Sequence, residues 1–296
     1  MLDYRATDNT KGPNMLNLQE LVIERFVAEL RETYREMYGD LEPQYGNMVA
    51  WTGRLALENI ATCDALYHNV DHTIMVVLAG QAILKGKHVC EGGIVPQDWL
   101  HFTIALLCHD IGYVKGICKG DREGKYATGI GEERVQLKPG STSVALTPYH
   151  VDRAQQFVHE RFGSQALGKV DADRLASYIE MTRFPIPKDA SLDDTAGCGA
   201  LVRAADFVGQ LGDPNYLVKI PALFYEFEET GANVARGYKT PGDMRRDYAK
   251  FYWDVVSPYI QDALRYLRVT QEGKQWVASL HSHVFDIEHN SAYLDL

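Results

Sequence analysis

With 296 residues, 46% of them hydrophobic, the chain can bury a core of its own without help from disulfides. Its formal net charge of -10 excludes a generally basic surface for polymeric nucleic acid, whereas a small anion can still bind where a dication reverses the local sign. The five cysteines, Cys63, Cys90, Cys108, Cys118 and Cys198, form no C-x-x-C pair, which argues against a disulfide scaffold or a zinc knot and for a reducing, cytoplasmic setting.

Residues 1–14 are polar and turn-rich and carry neither the apolar core of a signal peptide nor a transit-peptide bias, so a flexible tail is expected there. Leu18, Leu21, Val22, Phe26, Val27, Leu30 and Tyr34 then recur at spacings of three and four, which predicts an amphipathic helix from Leu16 to Tyr38. The same periodicity predicts helices near 48–66, 72–88, 96–110, 148–163, 171–182, 197–211, 215–230, 241–267 and 270–289, with almost no alternating, strand-like runs. An all-α fold follows, with residues 15–296 as a single helical domain. No apolar run reaches the roughly 18 to 20 residues of a membrane span, so a soluble protein without a membrane partner is expected. Between Gly112 and Thr147 the glycines at 116, 120, 124, 129, 131 and 140 and Pro139 break helical periodicity, and a loop of that length in a compact domain is often functional. Phe184 to Asp194, with Pro185 and Pro187, reads as a second connector.

Three segments carry chemistry. His109 and Asp110 follow the apolar run Ile104-Ala105-Leu106-Leu107-Cys108, where burial is costly unless the pair coordinates a cation or is neutralised. In Tyr67-His68-Asn69-Val70-Asp71-His72 a helix would place His68 and His72 one turn apart on one face. The residue after the first histidine is Asn69 rather than glutamate, which excludes the H-E-x-x-H peptidase reading. Asp206 interrupts the apolar face of a predicted helix and calls for a metal or a cation, with Arg203 one turn earlier as the alternative partner.

The order His72, then His109-Asp110, then Asp206 resembles the H…HD…D signature of the HD phosphohydrolase superfamily, and Tyr67 to His72 resembles the YHNxxH motif of class I cyclic-nucleotide phosphodiesterases. The resemblance covers roughly residues 50–230. It implies an HD-domain helical bundle with additional N- and C-terminal helices. It also implies a divalent ion (manganese, magnesium, zinc or iron) on His72, His109, Asp110 and Asp206, with Asp110 able to bridge to a second ion, and His68 as general acid. His150 is placed like the helix-starting histidine that many two-metal HD proteins use for that second ion. The chain departs from the two-metal HD-GYP pattern at Thr182 and Arg183, where a pair of histidines would stand, and Val114 replaces the proline after Gly112-Tyr113, so cyclic-dinucleotide hydrolysis is not assigned.

The expected function is therefore metal-dependent hydrolysis of a phosphomonoester or phosphodiester of a small, phosphorylated, nucleotide-type or other substrate, in a monomer or an oligomer. The alternatives are an HD-fold di-iron oxygenase and a non-catalytic metal or nucleotide sensor. Asp110 shares the catalytic role with His68, and Asn69 or Asp71 is expected to orient the His68 ring. Asn69, Lys115 and Arg183 are the expected substrate-binding residues, the two cations as phosphate ligands. Gln210, one turn beyond Asp206, faces the same side and could reach a base or a water, although a helix-surface amide is the commoner role; His281, His283 and His289 read as surface residues of a last helix, and the aromatic segment at Phe251, Tyr252 and Trp253 as core or an oligomer contact.

Overall fold

The computed structural model describes residues 17–122, 124–163, 169–189 and 193–290, and the tail expected over residues 1–14 lies outside them. α1 (Leu18–Tyr38) begins at Asn17, whose side chain accepts the Glu20 N–H, and it buries Ile23, Phe26, Val27, Leu30 and Tyr34 against α2 (Pro43–Ile60). α2 starts and ends several residues earlier than its periodicity predicts. Pro43 opens its first turn, the position where a missing N–H costs nothing, and the chain leaves the helix after Ile60.

Two helices form the centre. α3 (Val70–Glu91) is capped by Asn69, and α4 (Pro96–Cys108) is buried all round, with Trp99, Leu100, Phe102, Ile104, Ala105, Leu106 and Leu107 fully enclosed. After a short 3-10 turn at Ile111–Tyr113 the chain enters the glycine-rich stretch. That stretch contains a small antiparallel hairpin, β1 (Lys125–Ala127) and β2 (Arg134–Gln136), with Tyr126 opposite Val135, and a 3-10 segment, Ser143–Tyr149. The hairpin was not expected from the sequence, because strands of three residues are too short to show alternation.

α5 (His150–Phe162) follows, and from it Arg153 holds the loop in place. Its fully buried guanidinium donates to the carbonyls of Gly112 (2.7 Å), Val114 (2.9 Å) and Ala127 (2.5 Å) and to both oxygens of Asp121 (3.0 Å each). The same carboxylate accepts the N–H groups of Gly116 and Ala127. A buried cation is tolerated only when its donors and charge are matched in this way.

α6 (Ala172–Glu180) packs on α5, and α7 (Cys198–Leu211) makes the most extensive helix contact of the fold, against α3. Gly209 permits that approach, since a methyl there would lie 2.5 Å from the Val76 Cα. α8 (Tyr216–Thr230), the short α9 (Ala232–Arg236) and α10 (Pro241–Phe251) cover one end, and α11 (Ser257–Leu267) and α12 (Gln271–Asn290) close the bundle. The single helix expected over 241–267 is split by a π-helical turn at Tyr252–Val256. Pro258 in the first turn of α11 has no N–H to continue the α-helical ladder, which accounts for the break. One hydrophobic cluster extends from Ile23 on α1 to Ile287 on α12, so the class is all-α with a minor hairpin. Among the described residues no helix is long and apolar enough to cross a membrane.

Candidate active site

α3, the end of α4 and α7 each bring one part of a buried cluster. Asn69 accepts the N–H groups of Asp71 (3.0 Å) and His72 (3.2 Å), which places His72 in the first turn of α3. His68 therefore precedes the helix instead of sharing its face, although its ring still lies 5.6 Å from that of His72. At the end of α4, His109 donates from Nδ1 to the Leu106 carbonyl (2.7 Å), so in that tautomer Nε2 carries a lone pair. His72 Nε2 and His109 Nε2 lie 3.3 and 3.1 Å from Asp110 Oδ2, and 3.6 and 3.7 Å from Asp206 Oδ1 on α7.

His72, His109 and Asp110 are all buried, with their donor atoms within 4.8 Å of one another. His109 Nε2 and Asp110 Oδ2 are close, yet neither has a partner in hydrogen-bond geometry. Two imidazole nitrogens and the Asp110 oxygen facing one another, with Asp206 Oδ1 beside both imidazoles, form a donor set that suits a divalent ion, and the two orphaned buried atoms are what such an ion would satisfy. Burial disfavours charge on His109, but attraction to Asp110 and Asp206 outweighs it and lifts its pKa to about 9, so a cation at Nε2 would displace a proton there. Burial likewise opposes ionisation of Asp110, while His109, His72 and His68 hold its carboxyl well below the usual range.

His150 opens α5 and donates from Nδ1 to Thr147 O (2.7 Å), and its Nε2 stands 4.0 Å from the other Asp110 oxygen, Oδ1. Burial lowers its pKa. Asp110 thus has one oxygen toward His72 and His109 and the other toward His150. Thr182 and Arg183 also border this space, but the Thr182 hydroxyl donates to Ile179 O and Arg183 is a permanent cation.

The best-formed dyad is one that the sequence reading missed. His68 Nδ1 lies 2.5 Å from Glu226 Oε2, and Glu226 Oε1 accepts the N–H groups of Tyr67 (2.6 Å) and His68 (3.3 Å). Burial works against a charged His68, but Glu226 first, then Asp110 and Asp206, raise its pKa to about 9. The signal was present. Glu226 is an acid inside the apolar run Leu223-Phe224-Tyr225-Glu226-Phe227, the same feature that marks Asp206. The Tyr113 ring lies between His68 (4.6 Å) and His150 (4.5 Å), stacked on both.

Other expected positions are engaged elsewhere. Asn69 caps α3 and donates to Leu66 O, and Asp71 pairs with Lys219, so neither orients His68 and Asn69 does not border the cavity. Lys115 donates to Ser141 O (2.8 Å) and approaches Asp64 (3.4 Å), which ties it to the loop and away from the cavity. Arg183 does border the cavity, but Asp152 and Glu180 clamp its guanidinium with contacts of 2.6 to 3.0 Å. His283 is buried and hydrogen-bonded to Leu211 O, where a surface role was expected, because α12 packs that face onto α7. Of the aromatic segment, Tyr252 is buried, Phe251 borders the cavity and Trp253 is exposed.

A cavity of about 320 Å³ opens over this floor of His68, His72, Asp110, His150, Asp206 and Glu226. Arg236 also borders it, its guanidinium 5.8 Å from the Phe184 ring and 5.5 Å from the Phe227 ring, with no ion pair among the described residues.

Against known protein families, the chain matches the Npun_R2479-like family over residues 16–290. It belongs to that family. No curated protein and no solved structure matches it. The Npun_R2479-like match spans every residue of the cluster, from His68 to Glu226, and adds no assignment to any of them.

Proposed function

We propose that the chain is a metal-dependent phosphohydrolase that cleaves a phosphomonoester or phosphodiester of a small molecule. The observation that carries this reading is the pair of buried, unpartnered atoms His109 Nε2 and Asp110 Oδ2, facing His72 and Asp206 on a cavity floor that also holds the His68 and Glu226 dyad. The resemblance of His72, His109-Asp110 and Asp206 to the HD signature points the same way.

His72, His109, Asp110 and Asp206 are the residues that would hold a divalent cation, with His150 beside the second Asp110 oxygen. When bound, the cation supplies Lewis acidity toward a phosphoryl oxygen and an acidified water. His68 is the proton donor: Glu226 holds Nδ1 and keeps the ring protonated at neutral pH, and Nε2 is left to serve the leaving oxygen. In the net reaction a water oxygen bonds to phosphorus, the ester P–O bond breaks and the leaving oxygen takes the His68 Nε2 proton. The proton lost by the attacking water leaves to solvent past the Asp110 carboxylate, and His68 regains one from solvent, which restores the starting state. Apolar surroundings strengthen each of these electrostatic interactions by excluding bulk water.

The test is elemental analysis of the purified chain paired with hydrolysis of generic phosphomonoesters and phosphodiesters under added manganese, magnesium, zinc or iron. Bound metal with turnover is the expected result. Metal near two irons per chain without hydrolysis would favour the oxygenase, bound metal without any turnover the sensor, and no metal under any loading would remove the site itself.

A further inference from the structure

The cavity above the polar floor has walls of a different chemistry. Phe184, Phe207, Leu223, Phe227, Met244 and Phe251 border it, and Phe184 meets Phe207 (6.3 Å, 90°) and Phe251 (6.0 Å, 76°) edge to face. Arg236, without an ion pair among the described residues, and Asp247, which accepts from Tyr238, also line them, while several other polar groups have their protons committed. Thr147 donates to Val144 O, Thr182 to Ile179 O and Tyr248 to Leu211 O, while the Gln210 amide donates to the Tyr216 hydroxyl. Arg183 is held by Asp152 and Glu180.

A nucleobase entering this space would exchange water for groups such as Arg236, Asp247 and the rest of the Gln210 amide, with a penalty for every polar atom left unmatched. A hydrocarbon ring meets no such penalty and extends the edge-to-face array already formed by the phenylalanines. The volume of about 320 Å³ lies at the small end for ligand pockets, the size for a body of one or two rings.

We propose that this chamber seats an aromatic hydrocarbon group, so that the substrate is a compact aryl phosphoester and not a nucleotide. The phosphoester half of the statement rests on the phosphohydrolase reading above; the aromatic half does not. The phosphate would sit on the floor beside His68 and Asp110, with the ring against Phe184, Phe207 and Phe251.

The experiment separates the two halves. 1-Naphthol, which has no phosphate, is titrated into the full chain by calorimetry, and 1-naphthyl phosphate, adenosine monophosphate and glycerol phosphate are compared as substrates with manganese present. We expect saturable naphthol binding, weakened about tenfold by Phe184→Ala and by Phe251→Ala, in line with the loss of one aromatic contact. Phe184 is 37% exposed, so its truncation leaves the core intact. Naphthyl phosphate should exceed glycerol phosphate in kcat/KM by about 100-fold, the scale set by burying one ring system. Absent naphthol binding, binding indifferent to both variants, or a preference for adenosine monophosphate over naphthyl phosphate would overturn the proposal. Naphthol binding lost in both variants, with no phosphoester cleaved under any metal, would uphold the aromatic chamber and overturn the hydrolase reading instead.

Discussion

A methyl group placed on Gly112 would lie 1.8 Å from the backbone carbonyl oxygen of His150. The turn that carries His109 and Asp110 is thereby pressed onto the start of α5, and no side chain fits between them. Gly112→Ala must push backbone against backbone, so it should cost about 1–3 kcal/mol and move Asp110 away from His150. Chemical denaturation and metal content together check this; wild-type stability with wild-type metal uptake would mean that the close approach does not exist.

The buried cluster makes two classes of variant distinguishable. His109→Ala and Asp110→Ala should lose bound metal, while His68→Ala keeps it and loses turnover by about 10²- to 10⁴-fold, the range of general acid catalysis. Unchanged activity in His68→Ala would remove that residue from the reaction.

Chelation should also be visible without any substrate. An ion present at about 100 times its dissociation constant adds about 2.7 kcal/mol to the stability of the folded state, so chelator should lower the melting temperature of the wild type and leave that of Asp110→Ala where it is. Equal shifts in both proteins would place the ion elsewhere.

Glu226 gives a pH signature. His68 has a folded pKa raised to about 9, so its pairing with Glu226 stabilises the fold fully below the unfolded value of roughly 6.5 and is lost as pH climbs through 9. Glu226→Gln removes the leading source of that rise. The alkaline limb of activity should then move toward neutral pH, and the stability lost in the wild type between about 6.5 and 9 should be smaller in the variant. A pH profile identical to wild type would detach Glu226 from His68.

Two arginines should behave in opposite ways. Arg153→Met strips Asp121 and three carbonyls of a fully buried partner and should cost about 3–5 kcal/mol, with residues 112–147 losing amide-exchange protection first. Arg183→Gln breaks a partly exposed clamp and should cost under about 1 kcal/mol with KM changed less than about twofold. A steep rise in KM would restore Arg183 as a phosphate ligand.

The helices whose apolar faces repeat over several turns, such as α1, α5 and α12, were legible because burial of one face imposes that period. Boundaries set by single residues were less so: Pro43 and Pro258 mark them, but each acts through a missing N–H that periodicity does not register. Within the site, His72, His109, Asp110 and Asp206 were visible as polar residues in apolar contexts. The partner of His68 was not, since Tyr67 to His68 meets Glu226 only after α8 folds back across the bundle. Asn69 shows the opposite error. Its capping geometry is local and readable, and a position next to a reactive histidine drew a substrate role onto a residue whose side chain the backbone of α3 already engages.

The cluster joins chain positions far apart in sequence, from the first turn of α3 through the end of α4 to the middle of α7. An ion held there would act as a reversible cross-link, closing two large loops whose ends the unfolded chain brings together only at an entropic cost. The last ligand on α7 emerges well after the first, so a nascent chain could hold the ion fully only once α7 had docked on α3. Metal supply during synthesis would then govern how much of the protein reaches its final packing, quite apart from any turnover the ion supports.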